Sequence, residues 1–232
     1  MKTKFAPASK KITQFIRQLI VFTVLLSVSI PVSAQAAAIP QTGSSTIAPV
    51  QNSVQLDTQT NTQPALDLFV ENLVNGNENQ IVGVYQKNLF AQKVVQQPAS
   101  DPAYVAPFKN QITQFGMVNQ MTGNLGLMAH NYLSGALFFD LKVGDEVQVI
   151  FGDGEVQNFK VDQILSFQAL TPDSVYSDFV NLEDGKKLNA SQLFEKAYAG
   201  TYHLTFQTCI RNGDEDSWGR LFVIATPFDS QL

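Results

Sequence analysis

Residues 146–167 read EVQVIFGDGEVQNFKVDQILSF and predict a β-hairpin. Apolar and polar side chains alternate on both sides of Gly152-Asp153-Gly154, which is a typical tight-turn sequence. Similar short apolar segments, separated by turn residues, recur between residues 81 and 226. The predicted strands are 81–86, 112–118, 125–129, 146–151, 156–167, 201–209 and 220–226.

Helices are expected only as insertions between these strands. Apolar side chains at 66, 69, 70, 73 and 74 predict a short helix that packs on the domain and ends before Asn75-Gly76. Two further helices are predicted at 173–179 and at 191–199, the second with Ser191 as N-cap. The fold class is therefore mainly β, a single antiparallel-rich barrel or sandwich spanning 80–228, with the helix in 65–79 in front of it.

The N-terminal segment 1–34 has the layout of a secretory signal peptide. Its only ionisable side chains are basic, an apolar run occupies 19–30, and the small residues Val32-Ser33-Ala34-Gln35-Ala36 follow Pro31. The run is short for a membrane span, which needs ~20 residues, and an uncleaved N-terminal anchor is the alternative. We expect an exported protein that meets a membrane only through this segment.

Residues 35–64 are predicted to form a flexible linker. Gln, Thr, Ser, Asn, Ala and Pro dominate it, Asp57 is its only charge, and it has no aromatic residue. Such a composition buries too little apolar area to offset the loss of chain entropy on folding.

Composition excludes several classes of function. The 232 residues suit one domain with its own core, and only 15% of them are charged. Acidic side chains (20) outnumber basic ones (15), and the excess grows once the basic N-terminal segment is set aside. A surface of this sign repels phosphate backbones, so we expect no nucleic-acid partner. No zinc spacing, phosphate loop or dinucleotide fingerprint is present.

Cys209 is the only cysteine, so an internal disulfide is impossible. It is either a small buried apolar residue or a nucleophile, and a nucleophile needs a histidine and an anion-stabilising group beside it. His130 follows the strand 125–129, a usual position for a functional side chain. His203 lies too far along the strand of Cys209 to touch it, and we predict it at the surface or an edge.

Arg220 begins the last predicted strand, and a turn-rich segment joins that strand to the one ending at Cys209. An antiparallel return would make Cys209 and Arg220 neighbours, whereas Arg211 is expected on the loop surface. A charge beside the core needs a partner. The partner of Arg220 is either a structural carboxylate or the anion formed at Cys209.

Several segments resemble the sortases, the cysteine transpeptidases of bacterial cell surfaces. The resemblance covers roughly residues 80–227 and places His, Cys and Arg in the family's order. Phe206 replaces a usual leucine and Ala129 a common glycine. The segments that carry it are GNLGLMAHN at 123–131, LKVGDE at 141–146 within 137–148, SQLF at 191–194, LTFQTC at 204–209 and GRLFVIA at 219–225.

The resemblance implies a closed eight-stranded barrel and a three-residue catalytic site. Cys209 would attack the carbonyl that follows a substrate threonine, Arg220 would stabilise the oxyanion, and His130 would protonate the departing amine. The thioacyl enzyme would pass to a second amine or to water. Candidate substrate-groove residues are Ala129, Asn131 and Thr208. A papain-like protease is disfavoured because its cysteine usually comes early and opens a helix.

The implied partners are the peptide sorting signal of a surface protein and an amine acceptor, either a peptidoglycan precursor or a pilin lysine. We expect no cofactor. Some sortases bind calcium through loop carboxylates, and the alternative for such clusters is simple solvation. The weak calcium candidates are Glu183, Asp184, Asp214, Glu215 and Asp216.

Two alternatives stay open. The substitutions at Ala129 and Phe206 leave room for a catalytically weak or inactive barrel that serves as a surface binding module. The linker sequence Ile39-Pro40-Gln41-Thr42-Gly43 resembles the Leu-Pro-X-Thr-Gly signal that many sortases cleave. It is either a coincidence of composition or a tethered pseudosubstrate or self-cleavage site.

Overall fold

The computed structural model describes residues 63–229, and in this part of the chain ten strands form one sheet. The strands are β1 (Ile81–Gln86), β2 (Phe90–Gln96), β3 (Gln111–Gln114), β4 (Leu125–Met128), β5 (Glu146–Phe151), β6 (Val156–Ala169), β7 (Phe179–Asn181), β8 (Lys187–Leu188), β9 (Leu204–Asn212) and β10 (Glu215–Pro227).

The sheet closes into an eight-stranded barrel. Its order is β10-β9-β4-β3-β2-β1-β5-β6, and β10 also pairs with β6, which completes the ring; β7 and β8 extend from β6 outside it. The β2–β3 and β4–β9 pairs are parallel, and every other pair in the described residues is antiparallel. The predicted mainly-β barrel is confirmed, and the sandwich alternative is wrong.

The alternation of β10 shows how the barrel separates two apolar clusters. Leu221, Val223 and Ala225 face the interior, whereas Phe222 and Ile224 face outward. Phe206 of β9 belongs to the interior cluster as well, and its ring centroid lies 5.0 Å from that of Phe138. The second cluster lies on the outer face of the barrel.

Three α-helices and one 3-10 helix lie within residues 63–229: α1 (Gln63–Glu71), α2 (Gly116–Thr122), α3 (Ala190–Tyr198) and the 3-10 helix Ser134–Asp140. Helix α1 packs on β1, where Phe69 and Leu73 would collide with any side chain at Gly83. Helix α3 covers the outer cluster. Its N-cap is Asn189, which forms a capping box with Gln192, so the prediction of Ser191 as N-cap is wrong and Ser191 lies inside the helix. None of these helices is long and apolar enough to cross a membrane.

The hairpin in 146–167 is confirmed. Strands β5 and β6 pair from Glu146↔Lys160 to Ile150↔Val156, and Phe151 N donates to Glu155 O at 2.8 Å. Gly154 has a φ of 96°, a backbone conformation that favours glycine.

Four sequence predictions about these strands and helices are wrong. The strand 112–118 stops at Gln114, and helix α2 follows, because Val118 packs against Gly126 rather than extending the sheet. Residues 173–178 form turns instead of a helix, since Ser177 Oγ accepts from Thr171 N. Strand β2 was missed: its inward position Gln92 is polar and breaks the apolar pattern, yet this side chain is buried against Ser134. Strand β9 begins at Leu204, three residues later than predicted.

The N-terminal predictions lie outside the described residues. These are the signal peptide or anchor in 1–34, the pentapeptide at 39–43, and the linker 35–64 apart from its last two residues, which begin α1.

Candidate active site

Cys209 and Arg220 are direct cross-strand neighbours. They pair across β9 and β10, flanked by Ile210↔Gly219 and Thr208↔Leu221. Residues paired in this way have Cβ atoms about 5 Å apart on one face of the sheet. Cys209 is a free, half-buried cysteine. The predicted neighbourhood of these two residues is confirmed.

The parallel pair of β4 and β9 carries the backbone of His130 to the level of Cys209. The register runs from Leu125↔Leu204 to Met128↔Gln207. Beyond it, Ala129 N donates to Gln207 O at 3.2 Å, and Thr208 Oγ1 donates to Ala129 O at 2.8 Å. The backbone of His130 is therefore level with that of Cys209, two residues past the last ladder pair.

A tight turn holds the backbone at His130. The carbonyl of His130 accepts from both Leu133 N and Gly135 N, each at 3.0 Å. A Cβ at Gly135 would lie 2.7 Å from the carbonyl oxygens of Ala129 and His130, so only glycine fits without moving them. This turn fixes the direction in which the histidine leaves the strand.

The His130 imidazole is half-buried and stacks on Tyr132, with ring centroids 5.1 Å apart and an interplanar angle of 18°. Burial lowers its pKa below the ordinary value, and a hydrogen bond with the backbone of Val105 raises it in part. The ring is consequently neutral in most molecules at neutral pH.

Arg220 carries a positive charge without a carboxylate partner among residues 63–229. Its Nη1 donates to Ser217 O and Gly219 O, each at 2.8 Å, and none of the ion pairs in this range includes it. The structural carboxylate considered from the sequence is therefore not found in the described chain. The exposed Arg211, by contrast, pairs with Asp216 at 3.2 Å.

Cys209 and Arg220 line a cavity of about 400 Å³ on the outer face of the barrel. It is lined by side chains of β4, β9 and β10, by α3 and the start of α2, and by the segments 102–105 and 174–179. Most of the lining is apolar, and the polar groups stand beside the cysteine. The apolar lining residues include Met128, Phe222, Leu193, Phe194 and Val105, and Gln207 is the polar residue on the strand of Cys209. His130 is not among the lining residues.

The comparisons with known proteins concern the fold alone. No family model matches the chain, and no curated protein does. Solved structures of sortases match the fold of the chain. Sortase C1 of Streptococcus agalactiae, in complex with MTSET, is 16% identical over 67% of this chain and 73% of its own, with a TM-score of 0.40. Streptococcus pneumoniae sortase C is 14% identical over 68% of this chain and 73% of its own, with a TM-score of 0.44. Listeria monocytogenes sortase A is 13% identical over 64% of this chain and 88% of its own, with a TM-score of 0.42.

Sequence reasoning missed two polar residues of the cavity. Tyr198 is buried among aromatic rings, and its hydroxyl donates to Gln207 Oε1. Burial raises the Tyr198 pKa, and the nearby Arg220 guanidinium lowers it in part, so the phenol stays neutral. Gln207 shares its strand face with Cys209, and this parity was the available signal. No sequence pattern identified Tyr198, because α3 is separate from β9 and β10 in sequence and meets them only in the folded chain.

The three groove candidates do not line this cavity. Thr208 is 2% exposed and Ala129 is 6% exposed, because both face the barrel interior. Thr208 instead holds the Ala129 carbonyl. Asn131 donates to Asp216 O at 3.0 Å and lines a separate pocket of about 330 Å³ together with Tyr132 and Arg211.

His203 is buried rather than at the surface. It is 6% exposed, with Nδ1 2.7 Å from Thr201 O and Nε2 3.3 Å from Ala197 O. The prediction failed because residues 201–203 fold back beneath the end of α3 instead of extending β9.

No group of three or more metal-ligating side chains occurs within residues 63–229. Among the calcium candidates, Asp184 pairs with Lys186 at 2.8 Å, and the Lys186 hydrogen bond lowers the Asp184 pKa. Asp216 pairs with Arg211, and no cluster joins Glu183, Asp214 or Glu215 to them.

Proposed function

We propose that this protein is a sortase-like cysteine transpeptidase that cleaves a Thr-Gly type bond in a peptide sorting signal. The observation that carries the proposal is the direct pairing of Cys209 with Arg220 at one end of the cavity. A nucleophile and a fixed cation on the same face can act on one carbonyl group. The resemblance of the sequence segments around both residues to sortases supplies the substrate class.

In the first step, the Cys209 thiolate attacks the threonine carbonyl carbon and forms a C–S bond. The carbonyl π electrons move to oxygen, and Arg220 donates to the resulting oxyanion. Its Nη1 is committed to Ser217 and Gly219, which holds the guanidinium in place and leaves other N–H groups for substrate. Such a prepared donor costs no reorganisation during the reaction.

In the second step, the oxyanion collapses and the C–N bond breaks. The protonated His130 gives its proton to the departing amine, which leaves as the glycine end of the cleaved signal. A thioester remains on Cys209. An incoming amine then attacks that thioester, loses its proton to His130, and carries the acyl group away as a new amide, which restores the cysteine. Water in place of the amine gives hydrolysis.

The low pKa of His130 sets the pH dependence of the proton donation. Only the imidazolium can donate, and its population falls as pH rises through a pKa that burial has lowered. Proton donation to the leaving amine is therefore strongest at acidic pH and weakens toward neutral pH.

The proposal is tested with Leu-Pro-X-Thr-Gly type peptides and hydroxylamine as the acceptor. We expect mass spectrometry to detect a threonine hydroxamate and the released glycine fragment. The Cys209→Ala protein is the control and should give neither product. If the wild-type protein leaves several such peptides uncleaved, the proposal is wrong.

A second candidate is a peptide-binding module with little or no turnover, favoured by the absence of His130 from the cavity lining. It predicts that the peptides bind, as seen by a shift in protein fluorescence or calorimetry, without any hydroxamate. The same peptide panel therefore separates the two functions.

The wider setting follows from the transpeptidase proposal. The donor would be a surface-protein sorting signal and the acceptor an amine of a peptidoglycan precursor or a pilin lysine. We propose that residues 1–34 export the protein, which then acts outside the cytoplasm, secreted or anchored by that segment.

A further inference from the structure

We propose that Gln207 is a specificity-determining residue that binds a carboxamide side chain of the substrate, and that Tyr198 is the residue that positions it. The inference rests on the proposed function for the nature of the ligand, a peptide that reaches Cys209. It deepens that function by naming the kind of side chain that enters the cavity beside the thiol.

Gln207 lies two residues before Cys209 in β9, on the same face of the strand, and lines the same cavity. Residues two apart along a strand are separated by about 7 Å. The cross-strand neighbours of Gln207 are Met128 of β4 and Phe222 of β10, which also line the cavity. The Gln207 amide is therefore a polar group between two apolar neighbours, about two residues of extended peptide away from the thiol.

The orientation of this amide is set from α3. The Tyr198 hydroxyl donates to Gln207 Oε1. Tyr198 is 3% exposed, and its ring packs edge-on against Phe115 and Phe222 at centroid distances of 5.8 and 5.9 Å. Its carbonyl accepts from Asn124 Nδ2 at 2.7 Å. Because this fixed hydroxyl holds the amide oxygen, the amide nitrogen is directed away from Tyr198.

The nitrogen of the Gln207 amide is free to bind a ligand. Within residues 63–229, Nε2 has no hydrogen-bond partner, and the buried side-chain polar atoms that lack one are Oε1 of Gln86, Gln114 and Gln148. Nε2 is not one of these atoms, so it is accessible from the cavity that its side chain lines. Oε1 also keeps one lone pair besides the one that Tyr198 uses.

A carboxamide on the substrate matches both groups. Its oxygen can accept from Nε2, and its own N–H can donate to the second lone pair of Oε1. An apolar side chain, such as the leucine of a Leu-Pro-X-Thr-Gly signal, would cover the Nε2 donors without pairing them, which weakens binding by about tenfold or more. A site with built-in donors rejects ligands that lack the acceptor in this way.

The test exchanges the same chemical group on both partners. Peptides of the Leu-Pro-X-Thr-Gly type carry either Gln or Met, side chains of similar length, at the leucine position or at X. Calorimetry measures their affinity for the Cys209→Ala protein, in which no turnover intervenes, and for the same protein with Gln207→Met. We expect the Gln peptide to bind about tenfold tighter or more at one of the two positions. Gln207→Met should abolish or reverse this preference.

A similar tyrosine–glutamine pair outside the cavity supplies the controls. Tyr202 Oη donates to Gln157 Oε1 at 2.9 Å in an exposed pair, and neither residue lines the cavity. Gln157→Met and Tyr202→Phe should leave the ratio of the two affinities unchanged. Tyr198→Phe removes only the hydroxyl and should reduce the ratio, because the released amide can turn either end to the ligand. If Tyr198→Phe does not fold, as judged by circular dichroism, the partly exposed Gln207 decides the question alone.

Equal affinities of the Gln and Met peptides at both positions would overturn the inference. An equal loss for both peptides in folded Gln207→Met would assign Gln207 to a backbone amide of the substrate and would also overturn it. If the Gln peptide is preferred but the protein with its thiol cleaves none of the peptides, the proposed function fails and the inference about binding stands. If no peptide binds, both fail.

Discussion

The parallel pair of β4 and β9 has a histidine at each end, and the surroundings of the two histidines differ. We call the end at Leu125↔Leu204 the starting end and the end beyond Met128↔Gln207 the finishing end. At the start, His203 is buried, its ring faces the carbonyls of Thr201 and Ala197, and its own carbonyl accepts from Leu125 N at 3.0 Å. At the finish, His130 is half-buried beside the level of Cys209. His203 closes the ladder in the packed part of the chain, whereas His130 leaves it into a turn and keeps a partly exposed ring.

This difference shows how one element can supply both stability and chemistry. The starting end is tied by hydrogen bonds to α3 and to the chain before β4, so any change there disturbs packing. The finishing end opens into loops, where a side chain is fixed by a few contacts and still meets solvent. Variants at the starting end should alter stability, and variants at the finishing end should alter turnover.

The largest effect is expected for Cys209→Ala at the finishing end. It should abolish turnover because no other thiol exists in the chain, yet the protein should keep its fold. Phe206→Ala, three residues earlier in the same strand, should instead cost about 3–5 kcal/mol because its ring is fully buried. Circular dichroism and the peptide assay measure both. Unfolding of Cys209→Ala would mean that the thiol is a packing residue.

Arg220→Ala should lower kcat by about 10²-fold or more, since a prepared oxyanion donor has effects of that size. Arg220→Lys should recover only part of the loss, because an ammonium lacks the guanidinium fork. Arg211→Ala makes the same change of charge at an exposed position near the end of β9 and is the control. Equal losses in Arg220→Ala and Arg211→Ala would indicate a general electrostatic effect instead.

His203→Phe tests the starting end. It removes the hydrogen bonds of a buried ring and should destabilise the fold by about 1–3 kcal/mol, with kcat unchanged. His130→Gln should show the opposite pattern, a large loss of kcat with a small change in stability. Urea unfolding and steady-state kinetics give the two readouts. A kcat loss in His203→Phe as large as in His130→Gln would erase the distinction between the ends.

Tyr132→Ala should shift the His130 pKa upward, toward its ordinary value. The exposed ring of Tyr132 covers one face of the imidazole, and removing it reduces the burial that lowers the pKa. The imidazolium then persists to higher pH, so the loss of proton donation on raising pH moves in the same direction. An NMR titration of His130 and the pH profile of kcat measure this. A pKa that stays or falls contradicts burial as the cause.

The smallest effect is expected from the N-terminal pentapeptide at 39–43. A protein that begins at Gln35 and one that begins near Pro64 should be compared on the same peptide. If the segment is a tethered pseudosubstrate, the shorter protein is faster; if it is a self-cleavage site, the longer one loses mass after Thr42. Equal rates and an intact chain would make the motif a coincidence of linker composition.

Much of the barrel could be predicted from sequence because period-two alternation and turn glycines are local signals. The hairpin around Gly154 and the pairing of Cys209 with Arg220 follow from such signals. Strand β2 escaped because Gln92 is polar at an inward position, and its partner Ser134 is distant in sequence. His203 was misplaced, and Tyr198 and Val105 were missed, because each acquires its neighbours only when separate elements meet.

The most direct test of the account is to look for an acyl group on Cys209. The protein is mixed with a Leu-Pro-X-Thr-Gly type peptide without an added amine, quenched in acid within the first turnovers, and digested for peptide mapping. The account predicts a thioester on Cys209 that carries the peptide up to threonine, which hydroxylamine removes. The absence of any adduct, or an adduct on another residue, while the peptide is being cleaved would contradict it.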